Sequence, residues 1–311
     1  MATRTFILAI VLMLSGAAMA QPQSSEAEQI IADYLRMPYP EDEGLGEGRL
    51  ERLALLARLK TMPDEAADAI EQVLPQVTDP RRRAELAEAL GQYVPTRKSG
   101  MLLCELLKDP DEHVRWQAIH GLRMLTMRTN RMGGQRTDPG RLIEPKDECT
   151  NPLAEFAPKV EGLVPCLVSA ADDPVEANRL CALYALADSR DPLAVAELRH
   201  RLKDSSEDVR LYAACFLTEY QDASGLPEMR AALARFQQTD PNMNTDFYLE
   251  AEHLLASFER ITGKSFGPIP MNPLLSSDTR EIPKLEASYH TLLTTWAQWW
   301  AWEPPAKPEN L

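Results

Sequence analysis

The chain has 311 residues, with 47 acidic side chains against 33 Lys and Arg, for a net charge of −14. That balance argues against nucleic acid and anionic membrane surfaces as partners and mildly favours cationic ones. Five cysteines without a CxxC pair argue against a zinc site.

Residues 1–20 read as an export leader. Arg4 supplies the positive start, Phe6 to Leu14 is an apolar run, and Ala18-Met19-Ala20 is a small-x-small cleavage site. Cleavage after Ala20 predicts a mature start at Gln21, with a periplasmic or secreted product. No integral membrane segment is expected after cleavage; the other reading is an uncleaved N-terminal anchor. Gln21 stands where a lipoprotein needs Cys. An exported chain can hold disulfides.

From there one register organises the sequence. An Arg followed seven residues later by a Leu recurs at Arg52/Leu59, Arg83/Leu90, Arg115/Leu122, Arg179/Leu186 and Arg210/Leu217. The steps are 31, 32, 64 and 31 residues, and 64 is two periods of 32. A fixed period of this length predicts stacked supersecondary units over 21–260, about six of them. Counted from each Arg, positions +1, +4 and +7 are apolar: Leu53, Leu56 and Leu59; Ala84, Ala87 and Leu90; Trp116, Ile119 and Leu122; Leu180, Leu183 and Leu186; Leu211, Ala214 and Leu217. Spacing of three makes one helix face, which a lone hairpin cannot bury but the next hairpin can. The expected fold is therefore all-α, an α-solenoid of stacked helical hairpins.

In the unit around Arg115, Met101–Lys108 reads as a first helix, Asp109–His113 as a turn and Val114–Leu125 as a second helix. Asp109/Arg115, Asp173/Arg179 and Asp204/Arg210 share a spacing of six, with Asp in the turn and Arg early in the second helix. "LLKDPDEHVRWQAIHGL" and "RLKDSSEDVRLYAACFL" resemble HEAT repeats, particularly the short bacterial HEAT-like units with an armadillo-like helical arrangement. The resemblance covers 101–125 and 193–235 most fully, and 64–91 and 162–188 less so. It is weakest at 25–60, where the turn Asp is missing and "PEDEGLGEG" intervenes. It implies that Asp109, Arg115, Asp173, Arg179, Asp204 and Arg210 are structural, forming a hydrogen-bond ladder between neighbouring repeats. A last unit near 227–260 has Asp246 in place of the Arg, as expected of an end repeat.

Residues 127–160 hold Gly133, Gly134, Gly140 and four prolines, so an irregular insert is expected inside the doubled step. Cys149 and Cys166 bracket its end and are the candidate disulfide, whereas Cys181 and Cys215 fall inside helices as small apolar residues. The insert is either a binding element or a tolerated loop. After a loop from Ile261 comes "YHTLLTTWAQWWAW", in which Tyr289, Leu292, Leu293, Trp296, Trp299 and Trp300 share one side. This segment up to 302 is expected to cap the last repeat, with a disordered tail at 303–311; an aromatic platform for a glycan is the other reading. "ITGKSFG" before a Trp-rich helix also resembles a tail on exported bacterial HEAT-repeat proteins.

No HExxH, GxxxxGK[ST] or GxGxxG occurs, none of the five histidines sits beside a GxSxG elbow, and no catalytic set or cofactor motif emerges; His120 reads as a structural histidine. The expectation is a non-catalytic scaffold that binds a protein or peptide partner, with no cofactor. Positions +2, +6 and +9 of the second helices, together with Tyr220, nominate Gln117, Tyr212, Phe216, Glu219 and Tyr220 as partner-binding residues. The alternatives are a lyase-type enzyme, because some HEAT-like proteins are bilin lyases, and envelope-polymer binding through the C-terminal tryptophans.

Overall fold

A computed structural model describes residues 24–39, 47–126, 162–239 and 247–302. The expected leader, the insert at 127–160, Cys149, Asp246 and the tail at 303–311 lie outside the described residues. The described residues contain thirteen α-helices and no strand. No helix among them is long and apolar enough to cross a membrane.

The helices are α1 (Glu26–Arg36), α2 (Glu47–Leu59), α3 (Pro63–Val73), α4 (Pro80–Gln92), α5 (Arg97–Leu106), α6 (Glu112–Thr126) and α7 (Val164–Ala170). They continue with α8 (Glu176–Ser189), α9 (Leu193–Arg201), α10 (Glu207–Leu217), α11 (Leu226–Phe236), α12 (Phe247–Thr262) and α13 (Ile282–Trp302). Short polar residues start several of them. Ser25 and Glu28 form a reciprocal capping box on α1. Asp79 caps α4 ahead of Pro80, and Thr96 and Ser206 cap α5 and α10 by accepting from main-chain N–H groups.

Second helices pack in succession: α4 on α6, α6 on α8, α8 on α10, and α10 on α12. First helices follow beside them, with α3 against α5 and α7 against α9. The apolar register explains this order. Every +7 leucine, from Leu59 to Leu217, is fully buried, and so is every +4 residue apart from a slight opening at Leu56. The +1 position lies at the edge of the face. Ala84 and Leu211 are buried there, Trp116 and Leu180 are half-buried, and Leu53 is exposed. Where α4 crosses α6, a methyl group built on Gly91 would stand 2.3 Å from the Cα of Gly121. The two backbones approach that closely only because neither carries a side chain.

The core forms two clusters that meet at α10. Tyr212, Ala213, Phe216 and Leu217 belong to the first, and Leu211, Ala214 and Cys215 to the second. The second cluster also contains the aromatic C-terminal helix. Tyr289, Leu292, Leu293, Trp296 and Trp300 are buried against α11 and α12, with Trp296 stacked on Phe258 at 5.0 Å; Trp299 is half-buried.

The expected Cys149–Cys166 bridge is not the one observed. Cys166 of α7 is joined to Cys104 of α5, with Cα atoms 5.6 Å apart. The two are 62 residues apart in sequence yet occupy comparable places in consecutive first helices. The fold thus brings together two helices that the 127–160 stretch separates in sequence. Cys181 is half-buried and Cys215 buried, both as free thiols.

Candidate functional site

Three arginines bridge successive hairpins in one geometry. Nε and Nη2 of Arg83 donate to the two carboxylate oxygens of Asp109 at 2.7 and 3.0 Å. Arg115 does the same to Asp173 at 2.7 and 3.2 Å, and Arg179 to Asp204 at 3.0 and 2.9 Å. Nη1 of each donates to carbonyls of its own turn: Val77 and Thr78, Asp109 and Pro110, Asp173 and Pro174. Each Asp also accepts the N–H two residues on, from Asp111, Val175 and Ser206. Arg210 ends the series by turning to Glu228 at 2.8 Å. Burial alone would raise the Asp173 and Asp204 carboxyls. Their arginine partners and N–H donors outweigh it and leave both below the usual aspartate value. These residues hold hairpin to hairpin and leave little free for a ligand.

The nominated partner-binding residues separate into two kinds. Tyr212 and Phe216 are not exposed: they are only 6% and 4% accessible, because α10 is covered on one side by α8 and on the other by α12. They pack with Tyr184 and His253, the Tyr184 ring lying 5.3 Å from Tyr212 and 4.9 Å from Phe216. Glu219 is mostly covered and pairs with Arg190 at 2.6 Å. Tyr220 donates to the Leu186 carbonyl at 3.2 Å, and burial pushes its hydroxyl up to about 12. Only Gln117 stands half-exposed on a second helix without such an engagement.

Around Gln117 lies a surface that the sequence reading had not assembled. His113, Trp116 and His120 stack along one face of α6, with ring centroids 5.9 and 5.5 Å apart and planes within 4° and 8°. Next along the helix, Arg123 lies over the Tyr184 ring at 5.3 Å and donates to Asp188 at 2.6 Å. Tyr184 in turn meets His253 of α12, with Oη and Nε2 3.3 Å apart. The i, i+3, i+7 spacing of the three α6 rings was a usable signal. The signal is hidden in the sequence because Trp116 falls at the +1 position of the apolar stripe, which reads as packing.

This row is suited to contact rather than to chemistry. Burial, then Arg123, lowers the His120 value. Burial pushes the nearby Cys181 thiol up to about 11, far from a reactive thiolate. Among the described residues no group of three His, Cys, Asp or Glu side chains is placed to hold a metal ion. No protein-family model matches the chain, and no curated protein matches it.

Proposed function

We propose that this chain is an exported, non-catalytic scaffold, a HEAT-like α-solenoid that captures a protein or peptide segment along its second helices. The order α4, α6, α8, α10, α12 and the repeated Arg–Asp bridge support the solenoid part of this reading. A disulfide between first helices suits an oxidising compartment and supports export. The observation that carries the binding part is the half-exposed row of His113, Trp116, His120, Arg123 and Tyr184 across α6 and α8. Flat rings and a guanidinium at partly covered positions offer the large contact area and stacking that interfaces favour.

The test is a peptide-display selection on the full chain, followed by affinity measurements with Trp116→Ala. Loss of a hot-spot tryptophan of at least 2 kcal/mol corresponds to a drop of roughly 30-fold. The thermal midpoint should stay nearly unchanged, since Trp116 is only half-buried. Selected peptides that bind Trp116→Ala as well as the parent chain would remove the basis for this surface.

A further inference from the structure

The end of α1 runs into a short extended strap, held by two arginines from two other helices. Met37 leaves the helix at φ −63° and ψ 148°, in the polyproline range. Nη2 of Arg82 donates to the Met37 carbonyl, and Nη2 of Arg52 donates to the Pro38 carbonyl. The two guanidiniums are fixed from behind by one carboxylate: Glu85 accepts from Arg52 at 3.1 Å and from Arg82 at 2.6 Å. Tyr34 adds a ring under Arg52 at 5.0 Å. Tyr39 then lies against Arg82 at 4.1 Å and Arg81 at 5.4 Å, and its hydroxyl donates to Asp79.

Arg52 and Arg82 have side chains only 8% and 13% accessible, and both donate to Glu85. Two such cations are costly to cover without further acceptors. Consecutive main-chain carbonyls supply these acceptors, and they do so without regard to side-chain identity. Pro38, with no N–H to satisfy, faces outward and is exposed. Tyr39 is held through its side chain as well. The contacts thus amount to a recognition code: two successive carbonyls of an extended strand, then a tyrosine.

We infer that the junction of α1, α2 and α4 is a binding site for an extended proline–tyrosine strand, filled here by the chain's own Met37–Tyr39, and that a partner strand of the same chemistry displaces it. This deepens the scaffold reading and rests on it. A tethered occupant competes at an effective concentration on the order of millimolar, so the native chain binds an added strand weakly. Loosening the strap opens the site.

The experiment measures fluorescence anisotropy of a labelled peptide Leu-Arg-Met-Pro-Tyr, copied from positions 35–39, on the full chain. The Tyr39→Ala chain should bind it at least about 10-fold more tightly than the native chain, since the tethered competitor has lost its anchor. Adding Arg82→Ala to Tyr39→Ala should abolish the gain, as should a peptide ending in Ala. Equal binding by native and Tyr39→Ala chains, or binding by neither, overturns the inference. If Tyr39→Ala loses helical content, Tyr39→Phe, which removes only the Asp79 contact, must still show a gain; its absence is equally fatal. Peptides selected on the Trp116 row are measured in parallel. If they still bind while strap exchange fails, only this inference falls; if exchange succeeds while they ignore Trp116, only the row does.

Discussion

The middle of the molecule and its C-terminal end solve the same problem by different means. From α4 to α10 each hairpin has neighbours on both sides. It is held by small residues in close approach and by an arginine reaching forward to the next turn. At the end Arg210 takes Glu228, and the remaining apolar face is closed by bulk: Phe247, Phe258, Tyr289, Trp296 and Trp300. A periodic interface can reuse one bond geometry because each unit presents the same partner to the next. A terminal interface has no copy to meet and needs area instead.

If that contrast is right, the largest effect of a single substitution lies at the end. Trp296 is 1% accessible, stacked on Phe258 and edge-on to Phe266 at 4.8 Å. Trp296→Ala should cost about 3–5 kcal/mol in urea unfolding. A loss under about 1 kcal/mol would mean that the helix does not close the stack.

In the middle, the sharper test is the bond rather than the bulk. Arg115→Ala strands the Asp173 carboxylate, whose side chain is 5% accessible, and should cost about 3 kcal/mol. A double-mutant cycle with Asp173→Asn should return a coupling energy of at least about 1 kcal/mol. Additive effects would show that the bridge is incidental. Next comes close approach: Gly91→Ala sets a methyl group against the Gly121 backbone and should cost about 2 kcal/mol.

The smallest effect is the acid response. Asp173 and Asp204 ionise more readily in the fold than at the ordinary value of 3.8. Their stabilisation is therefore complete above that value and is lost as pH falls through their lowered folded values. The thermal midpoint should hold down to about pH 4 and then fall, and Arg115→Ala should flatten that fall. A fall of equal steepness in Arg115→Ala would place the acid sensitivity elsewhere.

Much of this is legible in the sequence itself. The +4 and +7 positions are buried in every unit because their burial depends only on the next hairpin being present. The turn Asp and second-helix Arg are likewise set by a local spacing. What escaped depends on neighbours that the repeat does not specify. Tyr212 and Phe216 look solvent-facing by register, but α12 covers them, and α12 belongs to the atypical end. Cys104 was not paired with Cys166 because sequence proximity favoured Cys149, although the 62-residue separation is close to the doubled step. The strap at Met37–Tyr39 carries no periodic signal, since it is held through its main-chain carbonyls.

The account depends on α5 and α7 being neighbours across 127–161. Peptide mapping of the alkylated, unreduced protein tests that directly. The predicted result is one cross-linked peptide joining Cys104 to Cys166, with label on Cys181 and Cys215 once the chain is unfolded. Label on Cys104, or Cys166 joined to any other cysteine, would contradict the stacking order on which everything else is built.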